Sequence, residues 1–274
     1  MIDIINEAGS CCVTLDLVCL DGLAWAIPVL WHTDIGGLPD PHSLEEGLET
    51  ILARGREAGA RFIDCRVQVA GGTAGDHGLQ DARADRLREV LRHREFIQGE
   101  GRLELRLPLG DAQAALRGLP AIPVLDWECL DSGDMLALNR AALLLQQATI
   151  GDPGSHPEDD ALGFLLAFRD DCDGTLAPEC LQIGYHAGTP AALLALRVDP
   201  ASGWCSIHYL AVVPGKRGLG IGRQAFRHGL DSLAILGGRE YHDGTGEHNL
   251  PARALLDHLG NVPCQRLEEW RLQL

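Results

Sequence analysis

The stretch Leu210-Ala211-Val212-Val213-Pro214-Gly215-Lys216-Arg217-Gly218-Leu219-Gly220-Ile221-Gly222 (LAVVPGKRGLGIG) decides the reading of this chain. Its apolar start continues the alternating run Cys205 to Val213 (CSIHYLAVV), a strand that Pro214 cannot prolong because it has no amide to donate. Glycines then recur at 218, 220 and 222, and a helix pattern runs from Gly222 to Ile235, closing at Gly237-Gly238. Alternate glycines remove side chains, so successive backbone N–H groups can face one anion. The helix adds its uncapped amides and the positive end of its dipole to the same spot. Lys216 and Arg217 supply mobile positive charge beside it. This is the physics of a pyrophosphate cradle, although three glycines before a helix also occur in ordinary tight turns. Two other phosphate motifs fit worse. A Walker loop would end in Gly-Lys-Ser/Thr, whereas Gly222 is followed by Arg223-Gln224, and a dinucleotide fingerprint spaces its glycines G-x-G-x-x-G rather than G-x-G-x-G.

Outward from this stretch, a strand is expected at Ala121 to Trp127 and helices at Asp134 to Gln147 and Pro157 to Arg169, with a turn at Gly151 to Ser155 between the helices. Strands Leu181 to His186 and Ala191 to Val198 flank Gly188-Thr189-Pro190, a hairpin signal. After the glycine stretch come a strand at Arg239 to Asp243, a short helix Leu250 to Leu259 stopped by Gly260, and an alternating strand Arg266 to Leu274. In the first half, Val13 to Cys19 and Leu23 to Trp31 read as strands, followed by the breaker-rich loop His32 to His42. Ser43 with Glu46 forms a capping box opening a helix to Arg56. Arg61 to Ala70 alternates as a strand, a helix covers Leu79 to Arg92, and Glu95 to Leu109 reads as two strands turning at Gly99 to Gly101. The fold class is α+β, helices on a mixed central sheet. A Pro- and Gly-containing stretch from Gly110 to Pro123 divides the chain into residues 1–115 and 116–274. Strand, breaker loop, helix, strand, helix and terminal strands describe both Leu23 to Leu109 and Cys205 to Leu274, the pattern of an internal duplication.

Composition bounds the function. The chain has 274 residues, 46% hydrophobic and 23% charged, enough to bury a core. A net charge of −16 argues against a nucleic-acid partner and suits a cationic ligand such as a small amine. The first ten residues lack a basic n-region, and no apolar run approaches a membrane span, so a cytoplasmic protein without membrane contact is expected. Nine cysteines without paired spacing read as reduced thiols. With neither C-x-x-C nor H-E-x-x-H present, no metal site is expected.

Arg217-Gly218-Leu219-Gly220-Ile221-Gly222 resembles the R/Q-x-x-G-x-G/A signature of the GNAT superfamily of acyl-CoA-dependent N-acyltransferases. Leu210 to Pro214 is similar to the strand ending that introduces that signature, and Asn249-Leu250-Pro251-Ala252-Arg253-Ala254-Leu255 to the family's N-x-x-A-x-x-L segment. The resemblance covers residues 121 to 274, and the first half looks like a degenerate GNAT copy in tandem with it. It implies that acetyl-CoA is the co-substrate, with its pyrophosphate held by the amides of Arg217, Gly218, Leu219, Gly220, Ile221 and Gly222. The pantetheine arm would pair with backbone at Leu210 and Val212, one of whose amides would polarise the thioester carbonyl. Asn249 would contact the coenzyme; as a plain residue it reads equally as a helix N-cap. The reaction implied is direct acetyl transfer to a primary amine of a small molecule by a monomer or homodimer, the alternative being an acyl-CoA-binding module whose chemistry has lapsed.

The sequence departs from the family where a tyrosine usually protonates the leaving thiolate, a position held here by Leu256, and after Gly260, where Asn261 replaces an aromatic. Tyr241 is the candidate replacement acid, and His242-Asp243 could bind the amine. His208 has the ordinary pKa to remove a proton near neutrality and is the candidate base, while Tyr209 should face the other way if the strand is regular. His258 reads as surface.

Overall fold

The computed structural model describes residues 2–5, 11–20, 23–31, 38, 40–57, 59–60, 62–69, 77–119, 124–150, 160–170, 178–260 and 264–274. In chain order its elements are β1 (Ile2–Ile5), β2 (Cys11–Leu20), β3 (Leu23–Trp31), α1 (Pro41–Glu57), β4 (Phe62–Val69), α2 (His77–His93), β5 (Ile97–Pro108) and α3 (Leu109–Leu116). There follow β6 (Asp126–Cys129), α4 (Met135–Ala148), α5 (Ala161–Asp170), β7 (Leu181–His186), β8 (Thr189–Val198), β9 (Trp204–Val212), α6 (Ile221–Ile235), β10 (Glu240–Gly246), α7 (Leu250–Leu256) and β11 (Cys264–Gln273). Short 3₁₀ turns sit at Pro178–Cys180, Pro214–Lys216 and Asp257–Leu259. The result is the expected mixed α+β arrangement of sheet and flanking helices. The loop from 32 to 37, the turn expected at 151–155 and Asn261 lie outside the described residues.

Two compact units divide the chain: Met1–Glu104 with Pro263–Leu274, and Leu105–Val262. The expected division at 115/116 falls within α3, and the terminal strand β11, expected with the second half, is in the first unit.

In the first unit the strand order is β1-β2-β3-β4-β11-β5. Alternation in β4 puts Ile63, Cys65 and Val67 at 0–1% exposure, where they meet Leu44, Leu48 and Ile51 of α1, Leu87 and Leu91 of α2, and Trp270 of β11. Helix α1 begins three residues earlier than the capping box predicts, at Pro41 with Asp40 as cap in place of Ser43. Asp40 takes the cap: its Oδ2 accepts from the Ser43 amide at 2.8 Å and from the Ser43 hydroxyl at 2.9 Å. With Pro41 preset for a first helical turn, aspartate before proline outcompetes Ser43 as the start signal. The hairpin expected at Gly99 to Gly101 is absent: β5 runs unbroken over twelve residues, and neither glycine takes a positive φ. Beside Gly99 runs the backbone of β11, an added Cβ lying at an ordinary contact distance of 3.5 Å from the Glu269 carbonyl, so Gly99 is a strand residue facing a neighbouring strand and not part of a turn.

In the second unit the order runs from the end of β5 through β10-β9-β8-β7-β6. Strand β8 reads Ala191 to Leu196 without polar alternation, and every one of these residues is fully buried. Helices on both faces explain that: Leu193 and Ala195 meet the cluster of α4 and α5, while α6 packs against β8 and β9 from the other face. Asp134, expected as the first helical residue, is the cap of α4, accepting from the Leu136 amide. The β7–β8 hairpin turns at Ala187 and Gly188, with φ +52° and +73°.

Strand β9 departs from regular pairing on both of its edges. Its parallel ladder with β10 contains only Trp204↔Glu240 and Cys205↔Tyr241, although β9 continues to Val212 and β10 to Gly246. Its antiparallel ladder with β8 pairs Ile207 with Leu196 and Tyr209 with Ala195, leaving His208 as the extra residue of a β-bulge.

The end of α6 is seated against β9 by Gly238, where an added Cβ would lie 2.7 Å from Cys205 Sγ and 2.9 Å from the Leu233 carbonyl. Gly238→Ala is therefore expected to cost about 1–3 kcal/mol, read as a lower denaturation midpoint at unchanged m-value.

Candidate active site

The glycine stretch is built as a turn that presents bare backbone. After β9 ends, the 3₁₀ turn Pro214–Lys216 is closed by Lys216 N–H to the Val213 carbonyl at 2.8 Å and Arg217 N–H to the Pro214 carbonyl at 3.2 Å. Gly218 and Gly220 then have φ +77° and +80°. A side chain in that left-handed region costs roughly 1–2 kcal/mol, which accounts for two of the three glycines. Gly220 is the N-cap of α6 and brings no side-chain cap; the first helical amide with a bond of its own is Gln224 N–H to the Gly220 carbonyl, at 3.1 Å. The amides of Ile221, Gly222 and Arg223 have no acceptor one turn back by the geometry of a helix start. Gly222 is different. It has ordinary φ, and an added Cβ would sit 3.7 Å from Val212 and 3.9 Å from Leu255, ordinary contact distances. Sterics do not demand glycine there, whereas a backbone meant to be approached closely does. Donors, dipole and bare surface fit a diphosphate such as that of coenzyme A.

Arg217 corrects part of the sequence reading. Its guanidinium is not mobile charge: Nε donates to the Val212 carbonyl at 3.1 Å and Nη2 to the Ala148 carbonyl at 2.5 Å. It ties the loop to the end of β9 and to the last residue of α4, where a cation also complements the helix dipole. Leu210 and Val212 lie on the length of β9 that has already parted from β10, each partly buried.

The bulge overturns the expectation for Tyr209. Because His208 is inserted in the ladder, both it and Tyr209 reach Phe164 of α5, at ring-centroid distances of 5.9 and 5.3 Å. His208 also stacks on Phe168 at 4.9 Å, yet remains exposed, while Phe168 is 4% exposed. Sequence alternation could not reveal this, since a one-residue bulge leaves no compositional mark, and nothing local marks Phe164 and Phe168 as neighbours of His208.

Tyr241 lies elsewhere. It is fully buried, edge-on to Phe226 of α6, and its hydroxyl donates to Asp243. Burial, with the neighbouring Asp243 charge, pushes its pKa well above the usual tyrosine value. Asp243 also accepts from the Gly244 amide at 2.7 Å. Its neighbour His242 stands 3.6 Å from Glu240 and tilts against Trp204, so His242 and Asp243 have separate structural partners. Asn249 resolves to the plain alternative: it caps α7, accepting from the Ala252 amide at 3.2 Å. Leu256 ends α7 partly buried, and His258 is exposed as expected.

Among the described residues, two shallow clefts of about 140 and 270 Å³ flank α6 and include no residue of the 210–222 stretch. No group of three or more His, Cys, Asp or Glu among the described residues is placed to hold a metal ion, and none of their helices is long and apolar enough to cross a membrane.

Residues 144–260 match the Acetyltransferase (GNAT) family. That span contains the glycine stretch, the bulge and α7. None of the curated proteins matches the sequence. Among solved structures, a tandem GNAT protein from the clavulanic acid biosynthesis pathway, determined without AcCoA, superposes with TM-score 0.64 at 15% identity, covering 97% of this chain and 80% of that one. A GCN5-related N-acetyltransferase from Sphaerobacter thermophilus gives 0.60 at 14%, covering 99% and 79%. One from Kribbella flavida gives 0.57 at 13%, covering 94% and 89%. At such identities the likeness is one of fold: the architecture is shared with GNAT proteins.

Removing the Arg217 clamp should loosen the glycine loop without touching its amides. Arg217→Ala is expected to lower stability by about 1.5–3 kcal/mol, the worth of hydrogen bonds from a charged group, measured by thermal unfolding. Arg217→Lys, which cannot span both carbonyls with one ammonium, should recover less than half of it.

Proposed function

We propose that the protein is an acyl-CoA-dependent N-acetyltransferase acting on a primary amine of a small molecule. The observation that carries this reading is the pairing of a bare-amide loop before α6 with the length of β9, immediately preceding it, that β10 does not pair. A diphosphate on the amides of Gly218 to Gly222 would leave the pantetheine arm lying along β9, where Leu210 and Val212 offer backbone groups that β10 does not use. Coenzyme A supplies the activated acyl group as a thioester. The domain at residues 116–274 would do this work, and the first half would be a degenerate copy of the same fold.

In the chemistry proposed, the neutral amine attacks the thioester carbonyl, and a β9 amide stabilises the oxyanion that forms. Collapse expels the thiolate, giving amide and free coenzyme A. The proton lost by the amine goes to His208, exposed on β9 about 7 Å from Leu210 at two strand residues' rise. Tyr241 is poorly placed as acid, with its hydroxyl buried and committed to Asp243. Water then protonates the departing thiolate, which needs little help as a leaving group. Asn249 would support the cofactor indirectly, by holding the start of α7, whose Leu255 faces Gly222.

Two measurements test the reading. Gly222→Phe has room for its Cβ, so the variant should fold normally while covering the amides. Calorimetric titration should show micromolar acetyl-CoA binding to the wild type and at least a tenfold loss in the variant; a wild type that ignores acetyl-CoA sinks the proposal. His208→Gln should bind acetyl-CoA normally but release thiol about 10²- to 10⁴-fold more slowly with an amine acceptor, the usual worth of a general base. Acetyl-CoA binding without turnover on any amine would identify a lapsed module instead.

A further inference from the structure

We infer that the acceptor is an amine carried on an aromatic body, and that Phe164 and Phe168 of α5 select it. The inference rests on the acyltransferase reading and adds the acceptor class to it. The amine nitrogen must reach both the acyl carbon beside Leu210 and a proton acceptor at His208, so the rest of the acceptor must lie against whatever surrounds His208.

Those surroundings are aromatic. Phe164 and Phe168 stand one helical turn apart, so they form a pair on one side of α5. The His208 ring is stacked against both, at 5.9 and 4.9 Å with interplanar angles of 17° and 24°. Tyr209, brought to the same side by the bulge, meets Phe164 edge to face at 5.3 Å and 62°. Phe168 is buried and forms the floor, while Phe164, Tyr209 and His208 keep accessible surface. Four rings converge where the acceptor body must rest. Partly exposed ring faces of this kind favour a further ring, with each offset or edge-to-face pair worth about 0.5–1.5 kcal/mol beyond area burial. A polyamine or amino sugar would gain nothing from them and would lose hydration at its remaining polar groups. The bulge is what makes the selection possible: in a regular strand Tyr209 would point to the opposite face and the cluster would lack one wall.

The test compares 2-phenylethylamine with spermidine in wild type and Phe164→Leu, a substitution that fills the space without a ring. Thiol release from acetyl-CoA should favour 2-phenylethylamine, and the ratio of the two kcat/KM values should fall about 3- to 10-fold in Phe164→Leu, with acetyl-CoA affinity unchanged. A second readout needs no catalysis. Titrating 2-phenylethylamine should shift the His208 ring proton resonance saturably, assigned by its loss in His208→Gln, and the shift should weaken in Phe164→Leu. Preference for spermidine, an equal loss on both amines, or no shift at His208 overturns the inference. Should acetyl-CoA fail to bind, the acyltransferase reading falls by itself, and the titration still decides whether the aromatic wall holds an aromatic amine.

Discussion

Strands β9 and β10 hydrogen-bond for two residue pairs and then part. Both continue, β9 to Val212 and β10 to Gly246, but beyond that point their backbones no longer bond each other. A sheet interior does not normally give up such pairing, because backbone polar groups need partners wherever water is excluded. Here the gap is held open from both sides: Gly238 and Cys205 lock the narrow end, and α7, with Leu255 against Gly222, stands beside the wide end. The glycine loop before α6 sits where the β9 edge of that wedge runs out. An extended ligand arm with amide groups of its own could enter as a substitute strand, with its anionic end on the amides before α6.

Arg217 links this wedge to the rest of its unit. One guanidinium bonds the last carbonyl of α4 and a carbonyl at the end of β9, so loop position depends on two elements well separated along the chain. The left-handed backbone at Gly218 and Gly220 is a consequence: with both ends of the loop pinned, the chain must reverse within a few residues, and only glycine does so without strain. The His208 bulge works in the same direction. It adds a residue to β9 where β8 has none, turning two consecutive side chains toward α5 and concentrating aromatic surface beside the unpaired edge.

Much of this was legible in the residues. The glycine spacing, the proline before it and the helix after it were local signals, readable because they depend on φ preferences and missing amides rather than on distant neighbours. The same holds for the helix opening at Asp134 and for the hairpin turning at Gly188. Misreadings came where one local signal outranked another or where a neighbour intervened: Asp40-Pro41 over Ser43, and the backbone of β11 beside Gly99. Tyr241 carried no signal of its burial, since a tyrosine in a strand has the same pattern whether its hydroxyl meets solvent or Asp243.

By itself, then, the sequence determined most of the elements, their order and the glycine-built turn before α6, because backbone geometry and side-chain periodicity are properties of neighbours along the chain. Tertiary structure alone decided that β11 joins the first unit, that Arg217 is a clamp, that Asn249 is a cap, and that His208, Tyr209, Phe164 and Phe168 share one place. Each of these depends on which segments meet across tens of residues and on a single inserted residue in a ladder. Periodicity cannot register either one.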